Sequence, residues 1–286
     1  MSDGEDTMEG ADDAVADDAL LVLTAMLLTP ARFPSVLGDD YVAACGTLAL
    51  EPYEEGYGLV LGQDGEGARW TVVVEDASQV AVAIAAWDCG MEHDLSPDER
   101  SMVCALPGWP MELAVSAPGV PDPHDPETDG EGPAALTPPD AEAWGPAQRR
   151  LGADEIAAQW PVWREQLDDV RLSRPGAGGG PESSAEGEPE SGLSTSPRHP
   201  GVRRALAEAT AYTEAPPPPG RIRSSYASAD ARTLRVDGPG WSMVARTDDI
   251  ALFLLDEEPG TVIPVGRGAA LPGLLAALDG LAVHPA

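Results

Sequence analysis

The chain contains no lysine. All 17 of its basic residues are arginines, set against 49 acidic residues, for a formal charge of −32. Without lysine there is no Schiff-base chemistry and no ammonium group to grip a phosphate. An excess of negative charge on this scale repels phosphate backbones, so the composition argues against nucleic acid as a partner. Cysteine is scarce as well. Cys45, Cys89 and Cys104 are the only three, too few to frame a disulfide-stapled secreted domain. Long apolar runs are missing: Ala19–Leu28 spans ten residues, about half of the roughly 20 that cross a bilayer. Residues 1–18 before it carry eight acids and no arginine, the reverse of a signal peptide. These absences predict a cytoplasmic protein with no membrane segment, and nothing in the sequence asks for a cofactor or a metal.

What is present is glycine and proline, 31 and 29 residues, gathered into unpatterned stretches that divide the chain. Residues 1–16 read as a disordered acidic tail. Residues 17–116 form an N-terminal α+β block, 117–140 a linker, 141–172 a helical segment, 173–200 a second disordered linker and 201–286 a C-terminal α+β block. The fold class expected is α+β: mainly antiparallel sheet with covering helices, in two comparable strand-then-helix blocks. In the first block Ala19–Leu28, with Asp17 and Asp18 before it and Pro30 after it, reads as a buried helix. Gly46–Leu50, Tyr57–Leu61 and Arg69–Val74 read as strands, the third central because it is the most apolar. Ser78–Trp87 reads as a helix ending at Gly90. Ser96-Pro97-Asp98-Glu99 signals a second helix carrying Met102, Val103 and Leu106, and Met111–Val115 suits an edge strand. Further on, Gly152–Arg171 is helical with a kink or restart at Pro161, and Val202–Thr213 is helical. The last block holds strands at Thr233–Val236, Trp241–Arg246, Ile250–Leu255 and Thr261–Val265, then a helix at Leu271–Leu281.

Residues that carry chemistry elsewhere are poorly placed for it here. Cys89-x3-His93 with Cys104 is the one metal-like spacing, and it lacks the fourth ligand of a structural zinc site. Ser242, in Gly240-Trp241-Ser242-Met243-Val244, lacks the second glycine of a nucleophile elbow, and its strand position points it to solvent. Gly266-Arg267-Gly268 lies between a strand and a helix without the rest of a dinucleotide fingerprint. Paired acids such as Asp248-Asp249 and Glu257-Glu258 fall in turns, where adjacent carboxylates diverge instead of converging on a substrate.

Two features suit recognition. Arg203, Arg204, Arg221 and Arg223 belong to a local surplus of positive charge, eight arginines against four acids over residues 198–246, able to meet carboxylates or phosphates. Trp160 and Trp163 sit in an amphipathic segment between linkers, where tryptophans serve as anchors for a partner's groove. The function expected is therefore non-enzymatic: an adaptor or regulatory protein of actinobacterial type, as its lysine-free, Ala/Gly/Pro/Arg-rich composition suggests, with a protein partner and an open oligomeric state. The order Arg221-Ile-Arg, Gly238-Pro-Gly-Trp-Ser-Met-Val-Ala-Arg246 and Ala269-Ala-Leu-Pro-Gly-Leu-Leu-Ala-Ala-Leu278 is similar to the C-terminal part of type VII secretion chaperones of the EspG kind. That resemblance implies two quasi-symmetric halves and a secreted helical partner bound without catalysis. Two other readings stay open: a regulator of a nucleotide-driven or filament-forming machine, and an enzyme or small-molecule binder whose site assembles from distant residues.

Overall fold

A computed structural model describes residues 20–127, 130, 132–172 and 199–284. The expected acidic tail at 1–16 and residues 173–198 of the second linker lie outside the described residues. The fold is α+β, built on two antiparallel sheets. In chain order the elements are β1 (Leu21–Leu28), α1 (Tyr41–Thr47), β2 (Tyr57–Gln63), β3 (Arg69–Val74), α2 (Ala77–Asp88) and β4 (Met102–Pro107). They are followed by α3 (Pro146–Ala158), α4 (Trp160–Leu172), α5 (Pro200–Ala211), β5 (Ile222–Ser228), β6 (Ala231–Gly238), β7 (Trp241–Arg246), β8 (Ala251–Leu255), β9 (Ile263–Val265) and α6 (Leu271–Leu281). Among the described residues no helix is long and apolar enough to cross a membrane.

The chain divides into two compact units. The first takes Met1–Ala25 and Gly58–Pro138, the second Met26–Tyr57 and Pro139–Ala286. The first is organised by the sheet β1-β2-β3-β4. β2 and β3 are its centre, with Leu59, Val60, Leu61, Val72, Val73 and Val74 all buried. α2 is started by Asp76, whose carboxylate accepts the Gln79 N–H at 3.0 Å, and it lies close on β2. A Cβ at Gly58 would stand 2.3 Å from Val80 Cγ2, so only glycine permits that approach.

The second unit is a five-stranded meander, β5 to β9, paired antiparallel throughout. Its inner strands β6 to β8 are covered on both faces, and alternation assigns each residue to one side. Leu234, Val236, Trp241, Met243, Ala245, Phe253 and Leu255 pack with α5 and α6. Val244, Leu252 and Leu254 pack with α3 and α4 on the other face. This double cover is why β8 reads as the unbroken apolar run Ala251-Leu-Phe-Leu-Leu255, all buried.

Several elements differ from the sequence reading. The run expected as a helix at Ala19–Leu28 is the strand β1, since an all-round apolar run has no period of its own and takes the form its neighbour offers. Gly46–Leu50 is not a strand: Asp40 caps α1 by accepting the Ala43 N–H at 2.8 Å, and the helix runs through Gly46. The helix expected from Ser96 is absent. Asp94 and Asp98 instead accept the N–H groups two residues ahead, from Ser96 at 2.8 Å and Arg100 at 2.9 Å, which makes turns where a helix would begin. The chain then extends as β4 along β3, the edge position assigned to Met111–Val115, which forms no strand. Pro161 falls at the second residue of α4 and restarts the helix after α3 ends at Ala158.

Candidate functional site

β4 is the last strand of the first unit's sheet, and among the described residues no strand pairs with its outer edge. The Gly108 N–H points inward to the Arg69 carbonyl at 2.7 Å, while the Pro107 carbonyl points outward and accepts the Leu136 N–H at 2.7 Å. Alternation of an antiparallel ladder then turns both the N–H and the C=O of Ala105 outward. Leu136 bridges only at Gly108, so no described strand covers the edge from Met102 to Leu106. Val103 is the extra residue of a bulge, because Val73 faces Cys104 and Val74 faces Met102. Met102 and Val103 are 42% and 41% exposed, and Ala105 is exposed too. Proteins usually blunt such an edge with charge, proline or a covering segment. This one offers unpaired backbone and apolar side chains.

The surroundings are acidic. Residues 58–138 hold 15 acids and two arginines, Arg69 and Arg100, and Arg69 is committed to Asp125 at 2.6 Å. After α2 an open groove of about 450 Å³ is lined by Trp87, Met91, Glu92, His93 and Asp94. A smaller recess of about 50 Å³ shares His93 and Asp94 with it and reaches Asp76, Asp98 and Ser101, the residue before β4. The Ser78 hydroxyl at 2.6 Å and the Gln79 N–H at 3.0 Å hold the Asp76 carboxyl below the usual carboxylate range. The Ser96 N–H does the same for Asp94. An apolar floor with a rim that stays anionic suits a side chain with an aliphatic stem and a cationic head.

The stretch expected as linker at 117–140 is tied to this sheet. The Arg69 N–H donates to the His124 carbonyl at 2.6 Å and the His124 N–H to the Gly67 carbonyl at 3.2 Å. The His124 ring faces two carbonyls, Nδ1 at 3.1 Å from Asp125 O and Nε2 at 2.9 Å from Glu66 O. Carbonyls only accept, so both ring nitrogens donate at once only in the imidazolium. Those two bonds, with the charges of Asp64 and Glu66, push the His124 pKa up. A group raised on folding stabilises the protonated side: its contribution is complete below the unfolded value of about 6.5 and fades as pH rises through the folded one. An NMR titration is therefore expected to place the His124 ring above a free imidazole, and Asp64→Asn to bring it down. A ring that titrates at or below the free value contradicts the two-carbonyl geometry.

The arginines singled out in the sequence are placed differently from one another. Arg221 pairs with Asp40, the cap of α1. Arg223 sits 3.1 Å from Asp237 and 4.5 Å from the centre of the Phe33 ring. Arg204 pairs with Glu257 at 2.6 Å on the surface. Arg203 is exposed, and among the described residues it makes no ion pair. Trp160 is 5% exposed and packs inward against the α3/α4 face of the second sheet, with Trp163 partly buried beside it. Trp160 is thus used on the protein's own sheet and Arg223 on Asp237.

Arg223 belongs to a buried cluster that sequence reasoning missed. Asp237 is fully buried, and its carboxylate meets Arg235 at 2.6 Å, Arg223 at 3.1 Å and Arg149 at 3.6 Å, and accepts the Ser242 hydroxyl at 2.6 Å. Arg149, on α3, also reaches Asp256 at 2.7 Å, Asp39 at 2.8 Å and the Trp241 carbonyl at 2.6 Å. Ser242 is thus not solvent-facing as its strand position suggested: it is buried opposite Asp237 in the β6–β7 register. The signal was there in Arg235-Val-Asp237, polar residues at alternate positions of a strand whose other face is apolar. Each guanidinium already holds carboxylates, so the cluster fastens α3 to the sheet and leaves no free cation for a phosphate.

Cys89, His93 and Cys104 do not come together as a site. Among the described residues no three His, Cys, Asp or Glu side chains are placed to hold a metal. Comparison with family models, curated proteins and solved structures finds no match, so the resemblance over Arg221–Leu278 gains no support from them.

Proposed function

We propose that the protein works in the cytoplasm by binding another protein, as an adaptor or regulator that makes and breaks no covalent bond. The observation that carries this reading is the open edge of β4, where exposed Met102, Val103 and Ala105 flank unpaired backbone. A strand edge left in that state pairs with extended chain and has no equivalent use toward a small molecule. Charge and the lack of lysine favour a protein over a nucleic acid as the partner. Affinity purification of the full chain from its native host tests the reading. A protein recovered in stoichiometric amount, and lost on raising salt, supports it. A metabolite recovered at stoichiometry with no protein above background overturns it in favour of a small-molecule site.

A further inference from the structure

We infer that the β4 edge takes a cationic, extended segment of the partner as an additional strand of the first unit's sheet; this rests on the binding role proposed above and specifies its chemistry. The backbone supplies the mode. Ala105 presents a donor and an acceptor outward, the spacing at which an incoming strand pairs main chain to main chain. The side chains supply the fit. Met102, Val103 and Ala105 give apolar contacts along the edge, and the bulge at Val103 shifts the register within it, so that the regular run open to an incoming strand is short. Charge supplies the selectivity. Fifteen acids against two arginines in residues 58–138 attract lysine or arginine on the incoming strand, and the groove at Trp87 and Met91 rimmed by Glu92 and Asp94 accepts such a side chain. The same charge argues against two other occupants. A second copy of this chain would bring an equally acidic edge against the first, and residues 1–18, with eight acids and no arginine, are repelled as well.

The test uses the full chain and a short peptide of alternating lysine and valine, with a glutamate–valine peptide and a backbone N-methylated lysine–valine peptide as controls. The lysine peptide is expected to bind and to slow hydrogen exchange at the Ala105 amide, while the glutamate and N-methylated peptides do not bind. Ala105→Pro removes the outward N–H without touching a bond to β3, a place where an edge strand tolerates proline. It is expected to weaken the lysine peptide by about tenfold or more. Should that variant fail to fold, the N-methylated peptide still decides, since it alters only the ligand. Equal binding of the N-methylated peptide, or undiminished binding by a folded Ala105→Pro, means plain charge attraction and overturns strand addition. A concentration-dependent dimer abolished by Ala105→Pro assigns the edge to a second copy and also overturns it. If wild type and Ala105→Pro recover the same host protein equally, the binding role stands and the edge proposal alone falls.

Discussion

Asp237→Ala is expected to destabilise the second unit by about 3–5 kcal/mol, the usual loss when one partner of a buried ion pair is removed and the others stay. Against the roughly 5–15 kcal/mol that holds a domain folded, this is a large share. Among the described residues Asp237 is the one carboxylate at which Arg235, Arg223 and Arg149 meet, and it is fully buried. Without it Arg149 keeps Asp39 and Asp256 and Arg235 keeps Asp154, while Arg223 is left with no carboxylate among the described residues. Arg223→Met added to Asp237→Ala is expected to return part of the loss, because it removes the charge left without a carboxylate, and a double-mutant cycle measures how much. The same site sets an acid limit. Burial alone would push the Asp237 pKa up, but Arg235 and Arg223 overcome it and hold the carboxyl below its usual range. A depressed folded pKa gives stability that is present above the unfolded value of about 3.9 and lost as pH falls through the folded one. Protection of the β6 amides against hydrogen exchange, taken relative to the intrinsic rate at each pH, is therefore expected to fall in acid in wild type, and to respond much less to pH in Asp237→Asn.

The second large effect falls in the first unit. Trp109→Ala is expected to cost about 3–5 kcal/mol, in the range for deleting a buried large aromatic. Trp109 follows β4 directly and is 1% exposed. Its indole N–H donates to the Gly62 carbonyl at 3.0 Å and the Trp70 carbonyl at 3.2 Å, so one side chain ties the end of β4 to both β2 and β3. Gly108 beside it has φ +79°, and a Cβ there would lie 2.3 Å from the Leu136 carbonyl oxygen, which fixes the path of the chain into this anchor. Trp109→Phe keeps most of the apolar contact and loses the bond, so it is expected to cost about 1–3 kcal/mol less than the alanine variant. Thermal unfolding ranks the three proteins. Exchange at the β4 amides reports whether the strand loosens first, as its anchoring by Trp109 requires.

Most of the second sheet was legible in the sequence because β6 to β8 are largely buried apolar runs, whereas β5 (Ile222–Ser228), polar and half-exposed, gave no expectation of a strand. Trp241–Arg246 and Leu271–Leu281 are found at the bounds their composition predicted, since unbroken apolar runs between glycine turns leave few alternatives. The first unit was less legible. β1 is apolar on every side and carries no helix or strand period, and the start of α1 depends on one capping carboxylate, Asp40, set within a stretch whose residues also suit a strand. β4 was hidden by Ser96-Pro97-Asp98-Glu99, a sound helix-start signal that the turn-forming carboxylates of Asp94 and Asp98 diverted. The open edge was invisible for a further reason: whether a strand is last in a sheet depends on what pairs with it, and no local pattern records that. The inward packing of Trp160 was not legible either, because amphipathicity reports a face to be buried without saying against what.

Site-specific photo-crosslinking from Val103 in the native host tests the central claim most directly. A photoreactive residue there, with a second placed for comparison at Tyr226, 72% exposed on β5, asks whether the β4 edge meets another protein and with what sequence. The account predicts an adduct from position 103 whose attached peptide is extended and rich in arginine or lysine, and none from position 226. An adduct from 226 but not from 103, or one joining two copies of this chain through 103, would contradict it.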